Sequence, residues 1–382
     1  MRITLAGLCA LVVFSAASVA ELQPEKGTVR ELPATPSPHW VWVNDIVFHH
    51  MEAGKSYLVD GDSGKFLGML STGFGFSALV IPSDYRAIYA PEIYFARGTR
   101  GEQTDVVTIY DPRTLSPVGE VVIPPKRIQG MPNLAQAALS DDDRFLAVYN
   151  FTPSQSLSIV DTRSQKLVQE VNTAGCSLVY PGGDRTFHML CGNGGMLTLT
   201  LNDDGEVAEK QRSDPFFDVE KDFVTEKAVR YGDQWLFVSW NGYVYPVDVS
   251  DNLPEFGERW SLLTDEQRAE NWKIGGLQHL AVHQSSGRFY SLMHQGGVDT
   301  HKDPGTEVWV YDLASRNQVQ TIALKNIATS IQVSQDHQPL FYSIFIGSPS
   351  LDIYDATSGE YLRTVEELGF TPTVLQTPRA SP

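Results

Sequence analysis

The sequence predicts an all-β protein, a seven-bladed β-propeller of four-stranded antiparallel blades. Three observations carry this. First, one phrase recurs seven times: a strand ending in Asp or Asn, a tight polar turn, and a second strand. Its copies are anchored at Asp60, Asp111, Asp161, Asn202, Asp248, Asp312 and Asp355, and the clearest is LDIYDATSGEYLRTV from Leu351. Second, the copies stand roughly 40 to 50 residues apart, with one longer interval; a strand-only repeat of that length marks blades stacked into a ring. Third, the first blade lacks an inner strand before Trp40, while Pro372 to Thr377 is left over at the end. The C-terminal strand is therefore expected to complete the first blade and close the ring, which removes an aggregation-prone sheet edge.

Residues 1–20 read as a secretory signal. Arg2 supplies the positive start, Leu5 to Val13 the apolar run and Ser18-Val19-Ala20 the cleavage site. The run is too short to span a bilayer comfortably. Leu8 precedes Cys9, where lipid attachment wants a small residue, so export to a periplasm without an anchor is expected. Residues 21–38 are Pro-rich and polar, an extended arm, and residues 39–382 form the propeller. Strands are lettered A to D from the axis outward. The first blade has B at Trp40 to Val47, C at Tyr57 to Val59 and D at Lys65 to Leu70. The second opens with A at Ser77 to Ile81, then B at Ala87 to Tyr94 and C at Asp105 to Tyr110. Later A strands are expected at Ala135 to Leu139, Cys176 to Tyr180, Lys227 to Tyr231, Leu277 to His283 and Thr329 to Val333. Each precedes a short polar turn and a hydrophobic B strand, as in SDDDRFLAVYN. Cys176 begins an A strand and Cys191 ends the B strand after it. An antiparallel hairpin sets them opposite each other, and an even pair in an exported chain points to a disulfide.

Strand order also separates two faces. The A–B and C–D turns on one face are tight. The long connections, Phe95 to Thr104, Pro124 to Asn133, Trp260 to Gly276 and His294 to Gly305, are B–C or D–A links on the other. Long loops on a rigid scaffold carry recognition. One of them holds the capping-box pattern Thr264-Asp-Glu-Gln267, leading into a helix over Arg268 to Trp272.

A net charge of −17 argues against nucleic acid and anionic membrane surfaces. No nucleophile elbow, phosphate loop or dinucleotide fingerprint appears. His279, His283, His294 and His301 cluster in sequence, with His279 and His283 on one face of an A strand. They form either a metal site or ordinary hydrogen-bonded channel histidines. Arg97, Arg100, Lys126 and Arg127 lie on loops of the elaborated face, as contacts for an acidic partner or as plain surface charge. Gly73-Phe74-Gly75-Phe76 is a D–A link on that face, lining a pore or partner contact, or packing blades. No metal is assigned, and the absence of catalytic machinery suggests that a partner or added cofactor does the chemistry.

Several long stretches resemble the heavy, β-propeller subunit of the quinoprotein amine dehydrogenases, the methylamine and aromatic amine enzymes. They are RGTRGEQTDVVTIYDP at Arg97, PPKRIQG at Pro124, CSLVYPGGDRTFHMLCGNGG with both cysteines, WSLLTDEQRAENWKIGG at Trp260, MHQGGVDTHKDPGTEVWVYD at Met293 and VSQDHQPLFYSIF at Val333. The resemblance covers nearly all of the mature chain. It implies a periplasmic heterotetramer of two heavy and two light chains that deaminates primary amines to aldehyde and ammonia and passes electrons to a blue copper protein. Tryptophan tryptophylquinone would sit on the light chain, with no catalytic residue in this one. Phe74 matches the family's channel-lining phenylalanine. His301 and Lys302 match a recurrent dipeptide, structural or interfacial. The WSLL and MHQGG segments lean toward aromatic amine enzymes and the segment from Val333 to Thr377 toward methylamine enzymes. Two other readings stand beside this one: a non-catalytic periplasmic protein-binding propeller, and a hydrolase using a metal in the central channel.

Overall fold

The computed structural model describes residues 30–75, 78–127, 130 and 132–379. The expected signal segment at 1–20, the first part of the arm, and Phe76 lie outside the described residues. The strands form seven sheets, one per blade. In the first, Pro372–Gln376, Trp40–Asp45, Gly54–Asp60 and Phe66–Gly73 lie in that order. The C-terminal strand is thus the innermost strand of the first blade, pairing Trp42 with Gln376 and Val43 with Leu375. The ring closes as the sequence expects.

The repeat's anchor residue has a physical cause. The Asp355 carboxylate accepts from the backbone N–H groups of Thr357 (2.9 Å) and Ser358 (2.7 Å), and Asp111 from Arg113 and Thr114 (both 2.8 Å). Asn202 does the same for Asp204 and Glu206. A short side chain with a carbonyl or carboxylate oxygen closes each C–D turn, so Asp or Asn recurs there. Between blades the cores merge. Phe145, Phe187, Met189, Leu199, Phe237 and Val247, from the third to fifth blades, belong to one buried cluster.

Three elements depart from expectation. The second blade has three strands, Ile88–Phe95, Gln103–Asp111 and Ser116–Ile123, and its inner strand is reduced to a single bridge between Val80 and Tyr89. The backbone of Leu79 is served from the first blade instead. Its N–H donates to Gln376 Oε1 (3.0 Å), and Gln376 Nε2 donates to its carbonyl (2.6 Å). The long 260–276 connection is partly absorbed into sheets, through Trp260–Ser261 in the fifth blade and Trp272–Ile274 in the sixth. Its helix spans Asp265–Ala269 and carries both halves of the capping box. That helix stops short of Trp272 because Asn271 turns the chain at φ 61°.

Candidate functional site: an aromatic rim on the elaborated face

Phe74 stands where the first blade hands over to the second. The strand Phe66–Gly73 ends at Gly73 with φ 54°, and the Gly75 N–H donates to the Gly73 carbonyl at 2.8 Å. Phe74 is therefore the apex of a three-residue turn. A Cβ on Gly73 would meet the Tyr94 ring at 3.0 Å and the Ile93 carbonyl at 3.1 Å, so no larger residue fits this backbone without a shift. The Phe74 N–H points at the Ile93 carbonyl (3.3 Å). Its ring packs with Ile46, Met51, Ile93 and Phe95, edge-to-face with Phe95 at 5.4 Å. It is 8% exposed, a seated side chain rather than a projecting one.

Next to it, Asp45 clasps two loops of the first blade. Its buried carboxylate accepts from the N–H groups of Val47 (2.7 Å), Phe370 (2.7 Å) and Thr371 (3.0 Å). The clasp holds Val47 at φ 48°, an unfavourable conformation for a β-branched residue. It presents Phe48 and Phe370, 58% and 69% exposed, at the face where the long connections lie. Phe151 and Val298 are also exposed on B–C links of that face. Phe48 and Phe370, brought together by Asp45 and by the Phe48 N–H donating to Thr371 Oγ1 (2.7 Å), form an exposed aromatic pair and are the candidate contact point on this face.

Behind the turn, the second blade encloses polar groups that sequence reasoning passed over. Glu92 is fully buried and accepts from Thr108 and from Tyr94 Oη (2.7 Å), with Tyr110 Oη, which donates to the Ser71 carbonyl, 3.1 Å away. Burial pushes its carboxyl above the usual range, against the pull of those hydroxyls and of Arg127. A visible signal existed: Glu92 is the lone carboxylate in the apolar run IYAPEIYF.

The remaining candidates scatter. Arg127, expected on the surface, is a correction. It is buried, its N–H donates to Asp105 Oδ2 (2.8 Å), and burial pulls its guanidinium down to about 10 while Asp105 and Glu92 favour the charge. Lys126 pairs with Glu170 at 2.8 Å. Arg97 and Arg100 are exposed at the tip of the hairpin joining Ile88–Phe95 to Gln103–Asp111. His301 belongs to the sixth blade's B–C link, with its ring 4.4 Å from Trp240 and 5.9 Å from Phe223. Lys302 beside it is exposed.

His279 lies before the strand Leu280–His283 rather than sharing it. His279 bonds Thr225 (3.1 Å), and His283 bonds Ser286 (2.7 Å) and the Asp336 carbonyl (2.8 Å). Among the described residues no group of three or more His, Cys, Asp or Glu could hold a metal ion. Cys176 and Cys191 are directly paired across the hairpin and joined as a disulfide, and Arg212 Nη1 donates to Cys176 Sγ at 2.8 Å.

Comparison with known proteins bears on the family and the fold. The sequence is 29% identical to the methylamine dehydrogenase heavy chain of Methylophilus methylotrophus over 359 residues, covering 93% of this chain and 87% of that one. It is 28% identical to the counterpart from Paracoccus versutus over 93% of this chain and 83% of that one. Among solved structures it is similar in fold alone to a putative 6-phosphogluconolactonase from Bacteroides fragilis, with TM-score 0.60, 10% identity, and 93% and 99% of the two chains covered. It is likewise similar to the dihydro-heme d1 dehydrogenase NirN, with TM-score 0.53, 15% identity, and 95% and 84% covered. The family model for the methylamine dehydrogenase heavy chain matches residues 38–379, the whole ring from the arm to the closing strand, and the chain belongs to that family.

Proposed function

We propose that this chain is the non-cofactor subunit of a periplasmic amine dehydrogenase. The enzyme deaminates primary amines to aldehyde and ammonia and delivers electrons to a blue copper protein. The elaborated face receives a light subunit carrying tryptophan tryptophylquinone, in an assembly of two heavy and two light chains. The quinone supplies the electrophile and the electron sink. This chain supplies walls. Around Phe74 the packed neighbours are Ile46, Met51, Ile93 and Phe95, which exclude water and leave no competing nucleophile among themselves. Phe74 itself lines the substrate channel, and Arg97, Arg100, His301 and Lys302 contribute at the interface.

The observation that carries the reading is the Asp45 clasp. It holds Phe48 and Phe370 in the open on the face of the Phe74 turn, where a partner would bury them. Interface energy concentrates in a few such aromatic anchors.

The test is co-purification of the light subunit with Phe48→Asp/Phe370→Asp. Exposed on the free chain, both substitutions leave the fold and its circular dichroism intact. Light-subunit recovery should fall at least tenfold. Normal recovery would place the contact elsewhere. The non-catalytic binding propeller shares the exposed aromatic rim. It predicts the same loss of partner, but no amine-dependent dye reduction by the intact complex.

A further inference from the structure

A cleft of about 840 Å³ opens between the fourth and fifth blades on the elaborated face, and its residues take no part in the function proposed above. One wall is the link that leads from the fourth blade into the fifth, at 215–219. The Phe216 N–H donates to the Gly194 carbonyl (2.9 Å), and Gly194, at φ 88°, lies so close that a Cβ there would collide with the Phe217 carbonyl. Phe216 turns inward and stacks on Phe256, with ring centroids 4.6 Å apart. Pro215, Phe217 and Val219 are left as an apolar lining fixed by the backbone behind it.

The opposite wall is the fifth blade's strand Tyr243–Asp248. Tyr243 and Tyr245 are two residues apart, so both rings face the cleft. Arg259 lies over them. Its Cζ is 4.6 Å from the centroid of the Tyr243 ring, and its Nη1 donates to Tyr245 Oη at 2.8 Å. Arg268 Cζ stands 4.6 Å from the same ring. A guanidinium laid flat on an aromatic ring loses freedom to swing but keeps its in-plane N–H groups, the fork that fits a carboxylate. Arg259 is exposed, and its printed bond to Tyr245 uses a single donor.

The other charges in the lining are already engaged. Asp218 takes Lys221 Nζ at 2.8 Å and the N–H groups of Glu220 and Lys221. Asp222 is buried and accepts from Ser239 Oγ (2.9 Å) and the Asn241 N–H (3.0 Å), with Tyr245 Oη 3.5 Å away. Arg259 is therefore the lining cation that an incoming anion can reach. With two carboxylates nearby, a single negative charge suits the cleft better than a phosphate dianion.

We propose that this cleft binds a small organic monocarboxylate with an aromatic body, its carboxylate on Arg259 and its ring against Pro215, Phe217 and Val219. The site stands apart from the Phe74 turn and does not depend on the reading of that turn.

The experiment titrates phenylacetate calorimetrically into the full chain and into the heavy–light complex. Each should show one saturable site with Kd below about 1 mM. Acetate, which lacks the ring, and benzyl alcohol, which lacks the charge, should each bind at least about tenfold more weakly, as should inorganic phosphate. Arg259→Gln should weaken phenylacetate binding at least about tenfold, and Arg259→Lys, which keeps the charge without the planar fork, by about threefold or more. Arg259 is exposed, so both variants should keep the wild-type melting temperature. Phe217→Ala should weaken phenylacetate about threefold to tenfold and leave acetate unchanged. Absence of saturable binding below about 1 mM overturns the proposal, as does an Arg259→Gln chain that binds phenylacetate normally. Phosphate binding tighter than phenylacetate overturns the ligand class. Binding to the chain alone but not to the complex also overturns it, because the cleft is then filled by the partner protein.

Discussion

Buried histidines give the residue scale its clearest chemistry. His279 is fully enclosed and bonds Thr225 Oγ1, and burial together with Lys227 pulls its pKa down to about 3. His188, against Thr198 Oγ1 at 2.9 Å, is pulled down to about 4, again by burial first. Both are neutral in the fold and free to protonate once unfolded. A depressed histidine therefore leaves stability intact above its unfolded value near 6.5 and erodes it as pH falls below that. At pH 5 each should cost on the order of 2 kcal/mol. The melting temperature should thus drop between pH 7 and pH 5, and the drop should shrink in His279→Gln, whose amide can still reach Thr225. A pH-dependent change in melting temperature of the same size in His279→Gln as in the wild type would contradict the burial of this ring as its cause. At this scale the sequence was only partly legible. Phe74 could be placed on the right loop because glycines flank it. Arg127 could not be placed, because its loop position says nothing of Asp105, which reaches it from another strand. Glu92 was readable in principle as one charge amid apolar residues, but only tertiary structure brings Tyr94, Tyr110 and Thr108 to it.

Elements were more legible, since strands and turns are local. The hairpin cysteines paired as alternation and spacing demand, and closing the 15-residue separation contributes about 3 kcal/mol in the chain-entropy model. The capping box at Thr264 formed as written, although the helix ended early. The second blade's inner strand, expected at Ser77 to Ile81, is instead a single bridge at Val80, where side-chain bonds replace a ladder. Gln376 gives Leu79 both a donor and an acceptor, and Gln278 does the same for Leu375, with its Nε2 at 3.0 Å from the Leu375 carbonyl and its Oε1 at 2.7 Å from the N–H. No periodicity announces such a staple. Replacing Gln376 with Leu leaves a buried N–H and carbonyl of Leu79 unmet at the seam between the first and second blades. We expect a loss of about 2 kcal/mol or more in chemical denaturation. A loss below about 0.5 kcal/mol would mean that water or a backbone shift replaces the staple.

For the whole molecule, seven repeats, closure by the C-terminal strand and the division into a plain and an elaborated face all followed from counting strands. The closing strand pairs Asn44 with Val374, and the Asn44 side chain also bonds the Val374 carbonyl and Gln376. Sequence could name the elaborated face but not its aromatic rim, because Phe48 and Phe370 lie far apart in the chain and meet only through Asp45 once the ring is shut. On the proposed reading, the exposed Phe48 and Phe370 beside the Asp45 clasp are the part of the ring that a light subunit would cover. The most direct test compares this chain purified alone with the chain purified bound to its light subunit, each supplied with methylamine and an artificial electron acceptor. The complex should reduce the acceptor in an amine-dependent way while the lone chain does not. Amine oxidation by the lone chain, or an intact quinone-bearing complex that ignores amines, would contradict the account.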